Sequence, residues 1–273
     1  LKLFVKILYS VFYCDSIMWC YNQTRPYETE AGESDRVRDE MIEFVTEQFK
    51  SGRYKRYAKI NEKIIKAFAA VKRSAEKKVR VGVVGEIYVK YSRLGNNRLE
   101  EFLVSEDCEP VMPPMMDFAM YCIINVVNDR RLYGHGALKA LAYKIFYNRL
   151  YKMQRKIIEQ FKSDGNFTPV HDFEHLRNCA DKVLNQGVKM GEGWLIPAEM
   201  AAFAETGVKN IVCAQPFGCL PNHVAGKGAI RTLKNLYKDE NIVAVDYDPS
   251  ATKVNQENRI KLMLATAREN LNE

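Results

Sequence analysis

Three short runs of β-branched residues constrain the fold more than any other feature of the chain. They are Val79-Arg80-Val81-Gly82-Val83-Val84-Gly85, Asn210-Ile211-Val212-Cys213-Ala214-Gln215 and Asn241-Ile242-Val243-Ala244-Val245-Asp246. Each is nearly continuous in apolar residues, as a strand buried on both faces of a parallel sheet must be. Parallel strands cannot be joined by tight turns, so helices must fill the intervals. A further run, Glu109-Pro110-Val111-Met112-Pro113, predicts a strand cut short by its prolines.

The intervals carry helical spacing. Val37, Met41, Phe44, Val45 and Phe49 predict a helix capped by Ser34, with Asp35 in its first turn. A second helix is predicted from Lys55 to Glu76, and others over 98–106, 115–127, 136–162, 172–184, 222–237 and 255–269. Pro197 predicts the start of a helix over Ala198–Thr206, which Gly207 ends. The expected architecture is α/β: a Rossmann-like parallel sheet of four or more strands flanked by helices. A helical N-terminal segment occupies 1–77. The α/β domain spans 78–273, with a helical insertion at about 131–190.

The opening stretch Leu1–Cys20 is apolar, but Lys2, Lys6 and Asp15 interrupt it. Its longest charge-free run, Ile7 to Cys14, is far short of the roughly 20 residues of a membrane span. It also lacks a small-residue cleavage site. A buried helix, and no membrane, is the expectation. A chain that begins with Leu is expected to be part of something longer or processed at its start.

Charge narrows the choice of partner. Lys and Arg number 41 against 34 Asp and Glu, a net charge of +7. That modest, dispersed excess suits an anionic ligand such as a nucleotide or coenzyme A. It is not the concentrated basic stripe of a nucleic-acid binder. Seven widely spaced cysteines are not the framework of a small secreted domain. They read as free thiols of a reducing cytoplasm, or as a few metal or cluster ligands.

In an open parallel sheet, ligands bind beyond the carboxyl ends of the strands. Three loops are expected there: Gly85 to Asn97, Gln215 to His223, and Asp246 to Ser250. Their candidate pocket residues are Glu86, Tyr88, Lys90, Ser92, Asn96, Asn97, Gln215, Asn222, His223 and Asp246. The nucleotide fingerprints fail. Gly82-Val83-Val84-Gly85 lacks half of GxGxxG, and Gly226-Lys227-Gly228 has no Ser or Thr after its lysine. ATP hydrolysis by this chain is not expected.

Cys213 falls within a strand, where a cysteine is a small buried hydrophobe. Cys219 falls past the strand end, just before a helix N-terminus that favours thiolate. His171-Asp172-Phe173-Glu174-His175 matches the inverted zincin pattern. On a helix, His171 and His175 share a face that Cys179 extends. Pro169, however, suggests that the first histidine lies at or outside the helix start.

Taken together, these segments resemble a known family. Val83-Val84-Gly85-Glu86-Ile87-Tyr88-Val89-Lys90-Tyr91-Ser92-Arg93-Leu94-Gly95-Asn96-Asn97-Arg98-Leu99-Glu100 resembles a signature of the large fused CoA-substrate-specific enzyme activases. These are relatives of the activator and dehydratase components of the 2-hydroxyglutaryl-CoA dehydratase system. Further blocks look similar: Arg25-Pro26-Tyr27-Glu28, Lys189-Met190-Gly191-Glu192-Gly193-Trp194-Leu195, Cys213 to His223, and Asp246-Tyr247-Asp248-Pro249.

The resemblance implies a modular cytoplasmic protein of anaerobic bacteria, with ATPase modules of the actin/Hsp70 type upstream. This chain looks like its C-terminal, dehydratase-like end. It implies an iron–sulfur cluster in the parent protein, serving ATP-driven low-potential electron transfer. Cys219 matches the single cluster cysteine that follows a strand in dehydratase-like subunits, with Cys213 second. The domain that carries the other cluster cysteines there has no counterpart in this sequence. The implied partners are the upstream activase domains of the same polypeptide and an acyl-CoA or dehydratase partner. The fragment alone is expected to be inactive. A different class of reading remains open: a non-catalytic docking or acyl-CoA-binding domain without a metal.

Overall fold

The structure is a computed structural model and describes residues 2–134, 136–248 and 252–272. Four strands form an all-parallel sheet in the order β2-β1-β3-β4: β1 Val79–Gly85, β2 Cys108–Val111, β3 Asn210–Pro216 and β4 Asn241–Tyr247. The fold is the expected α/β, Rossmann-like arrangement. β1 and β3 are central and buried on both faces, which explains their nearly continuous apolar runs.

Period-two alternation divides the strand side chains between two cores. Val79, Val81, Val83, Val212, Ala214 and Val245 face a layer made by α4 (Ile87–Tyr91), α5 (Leu99–Ser105) and α11 (Lys253–Asn272). Val84, Ile211, Cys213, Ile242 and Ala244 face the other layer. That second layer is far thicker. It contains α1 (Lys2–Asn22), α2 (Glu33–Lys50), α3 (Tyr57–Ala69), α6 (Met115–Tyr133), α7 (Ala137–Asp164), α8 (Phe173–Val183), α9 (Leu195–Glu205) and α10 (Gly228–Leu236). The N-terminal helices and the inserted helices therefore share one core with the sheet. By length and composition alone, Lys2–Tyr27 is apolar enough to cross a membrane. Here its inner face, including Phe12, Tyr13, Ile17 and Trp19, packs into that core.

Several boundaries differ from the sequence reading. α2 begins at Glu33, and Ser34 is not its cap. The carboxylate of Glu28 instead reaches forward and accepts from the backbone N–H groups of Gly32 at 2.8 Å and Ser34 at 2.7 Å. α3 stops at Ala69 because the next residues run extended against 27–29. There Ser74 N–H donates to Tyr27 O, and Thr29 N–H to Lys72 O. α9 starts at Leu195, so Pro197 lies at its third position, still within the turn that needs no N–H.

Candidate functional site

The order 2-1-3-4 reverses the direction of chain progression between β1 and β3, the point where open α/β sheets leave a crevice for ligands. A cleft of about 700 Å³ lies there, lined by Glu86, Tyr88, Asn97, Phe217, Cys219 and Asp248 among others. All three loops expected at the strand ends contribute to it. Pro249 and Ser250 of the third loop lie outside the described residues.

The backbone at the cleft floor is set by Gly85. Its φ is +131°, and a Cβ there would stand 1.8 Å from the carbonyl oxygen of Ala214. That closeness lets Glu86 N–H donate to Ala214 O at 3.0 Å and turns the chain straight into α4. Glu86 caps α4, its carboxylate accepting from Val89 N–H at 2.8 Å. Glu192 reaches across from the glycine-rich segment and accepts from Ile87 N–H at 3.0 Å. A Cβ on Gly191 would strike Pro221, so this same segment also abuts the β3 loop. The four blocks 83–100, 189–195, 213–223 and 246–248 thus meet at one end of the sheet.

Several polar residues of these blocks point away from the cleft. Lys90 is 2% exposed, and its ammonium donates to both carboxylate oxygens of Glu199 on α9, at 2.8 and 2.9 Å. Asn96 is buried, donating to Val89 O and Lys90 O and accepting from Leu99 N–H, the start of α5. Ser92 accepts from Gly95 N–H and closes the turn between the helices. Asn97 is exposed on the cleft wall and donates to Gln256 of α11 at 2.7 Å.

Around β3, Gln215 is fully buried and donates to Asp246, which also accepts from Lys227 at 3.0 and 3.1 Å. Burial would raise the Asp246 carboxyl, but the Gln215 and Lys227 contacts outweigh it and hold the group below the usual range. Lys227, the lysine of the failed nucleotide motif, is therefore spent on an ion pair.

The two candidate cysteines part ways. Cys213 is completely buried, which pushes its thiol up to about 12. It faces the core side of Asn222, whose carbonyl oxygen is 3.9 Å from its sulfur. Cys219 is half-buried on the cleft wall and accepts from the amide of that same Asn222 at 3.2 Å. Asn222, fully buried, opens a π-helical turn over Asn222–Lys227 that leads into α10. His223 is exposed, and its Nδ1 lies 2.9 Å from Cys219 O.

Sequence reasoning missed Glu192 and Glu199 as parts of this site. Glu192 stands in a block that the resemblance flagged, but no spacing pairs it with Ile87. The lip is apolar as well: Tyr88, Leu94 and Phe217 are exposed on it, and exposed Leu220 comes next in the chain after Cys219.

The inverted zincin pattern does not assemble. α8 begins at Phe173 with Asp172 as its cap, so His171 lies outside the helix. Its buried Nε2 is 3.9 Å from Asp117, and burial lowers its pKa to about 4. Glu174 is engaged by Tyr147 and Arg177. No family model, no curated protein and no solved structure matches this chain.

Proposed function

We propose that this chain is the dehydratase-like end of a CoA-substrate-specific activase, and that Cys219 supplies one thiolate to an iron–sulfur cluster completed by another domain. The observation that carries this reading is the position of Cys219. It is a partly exposed thiol at the switch-point cleft, held by an N–H···S contact from a buried amide. Hydrogen bonds to cluster sulfurs are a principal means by which a protein tunes a cluster.

The donor set fits one corner of a cluster and no more. Such clusters take about four thiolates. Cys213 is sealed behind Asn222. The remaining ligands come from upstream domains of the same polypeptide or from a dehydratase partner in the cytoplasm. When bound, the cluster supplies low-potential electron transfer driven by the upstream ATPase modules. This chain's residues hold the corner ligand, order the cleft and exclude water from its floor. The exposed apolar lip of Tyr88, Leu94, Phe217 and Leu220 suits a domain that closes over the cleft.

The same lip favours a second reading, docking of an acyl-CoA or a partner subunit without a metal. Iron and acid-labile sulfide, measured per chain after oxygen-free reconstitution, separate the two. The measurement is made on this chain and on a longer polypeptide that carries the upstream domains. The expected outcome is a cluster in the longer polypeptide alone, with iron reduced by Cys219→Ser. Equal iron in wild type and Cys219→Ser removes Cys219 as a ligand. Iron in neither protein favours the docking reading.

A further inference from the structure

Away from the cleft, three side chains on α8 and at the end of α9 converge. His175 and Cys179 lie one turn apart on α8, and Glu205 ends α9. Their ligand atoms all lie within 4.8 Å of one another. Nε2 of His175 is 3.6 Å from Sγ of Cys179 and 3.6 Å from Oε2 of Glu205.

Those spacings are informative. Zinc binds imidazole nitrogen and carboxylate oxygen at about 2.0–2.2 Å and thiolate sulfur at about 2.3 Å. Tetrahedral corners at those radii stand roughly 3.3–3.6 Å apart. The two separations from His175 stand at the upper end of that range, and the third lies within 4.8 Å, so small side-chain shifts bring the donors to the corners of a zinc tetrahedron.

The surroundings orient them. Glu205 Oε1 accepts from Lys182 Nζ and from Tyr237 OH, each at 2.5 Å, which turns Oε2 toward His175. Metal-ligating carboxylates are commonly fixed in this way by outer hydrogen bonds. Cys179 is fully buried, while His175 is about a third exposed, so ions enter from the histidine side.

We propose that His175, Cys179 and Glu205 bind a single zinc ion that clamps α8 to the end of α9, with water at the fourth corner. Binding converts the Cys179 thiol to a thiolate, and its proton leaves to solvent. Nitrogen, sulfur and oxygen donors of this kind select zinc over calcium or magnesium, which take oxygen ligands alone. His171 is not part of the set, because its Nε2 faces Asp117.

The test is a titration of the whole chain, reduced and stripped of metal, with cobalt(II) as the probe and zinc(II) as the competitor. The expected result is one cobalt per chain, with tetrahedral visible bands and an intense thiolate-to-cobalt band in the near ultraviolet, all displaced by zinc. Cys179→Ser removes the near-ultraviolet band. Cys179 is buried, so His175→Ala is the safer variant, and it abolishes the one-equivalent binding while circular dichroism stays unchanged. Tyr237→Phe weakens binding on the order of tenfold. Cobalt binding without the thiolate band overturns the proposal by taking Cys179 out of the ligand set, and binding that keeps the band and survives His175→Ala intact overturns it by assigning the metal to other thiols such as exposed Cys14 and Cys122.

Discussion

The segment that follows β1 and the segment that follows β3 enter the same cleft, yet they treat their polar residues in opposite ways. After β1, Lys90 and Asn96 turn inward. Lys90 crosses to Glu199, and Asn96 ties the turn between α4 and α5. After β3, the buried amides Gln215 and Asn222 hold the loop from behind and leave Cys219 and His223 toward the outside. The first segment builds the wall, and the second leaves a thiol and an imidazole at the surface. A charge near a strand end is therefore no sign of ligand contact until its own partner is known.

The wall's commitment to its internal ion pair gives the largest expected effect. Lys90 and Glu199 are 2% and 1% exposed. Removing one partner strands a buried charge, so Lys90→Met is expected to cost about 3–5 kcal/mol in urea unfolding. Replacing both, as Lys90→Met with Glu199→Leu, is expected to recover most of that loss, because a packed apolar pair avoids the desolvation of two charges. A single variant as stable as wild type would show that Lys90 faces the cleft after all. The wall and the presenting loop would then not differ.

How much of this was legible follows from where the partners lie. The strands were visible because both their faces are buried, which leaves a local apolar run. The split between Cys213 and Cys219 was visible too, since one falls inside the strand and the other beyond it. The fate of Lys90 was not, because Glu199 lies 109 residues further along the chain. The cap of α2 was missed for a similar reason. Ser34 looks like a local cap, but Glu28 reaches the backbone amides first. The sharp turn at Gly85 looked like a failed nucleotide motif, whereas its cause is the approach of Ala214 from the neighbouring strand.

The wall also stores a titration. Asp15 of α1 lies behind it, accepting from Met115 and Met116 N–H at 2.9 Å each and capping α6. Burial pushes its carboxyl up to about 7, against the opposing pull of those N–H groups and of Lys90. A carboxyl with a raised folded pKa binds its proton more tightly in the native state. Its contribution to stability is complete below its ordinary value near 4 and is lost as pH rises toward 7. Buried His171, lowered to about 4, acts in the opposite sense and loses stability as pH falls from about 6.5. The comparison with Asp15→Asn isolates the first effect. Wild type is expected to lose a few kcal/mol relative to the variant between pH 4 and 7. Parallel stability profiles would show that Asp15 ionises freely.

The presenting loop should be the least sensitive. Cys219 is half-buried, makes one contact to Asn222 and fills no core volume. Serine keeps an acceptor for that amide, so Cys219→Ser is expected to change unfolding free energy by no more than about 0.5 kcal/mol. The matching change at Cys213 acts on a fully buried sulfur that, with Ile196, closes the space over Gly226 in the core. There a hydroxyl must be desolvated, at a cost of about 1–3 kcal/mol. Guanidinium unfolding of the two variants side by side measures the contrast. Equal losses would mean that Cys219 is a core residue like Cys213, and the loop would then be wall on both sides of the cleft. A large loss at Cys213 beside a negligible one at Cys219 would instead show a fold indifferent to the Cys219 thiol, as the proposed ligand role requires.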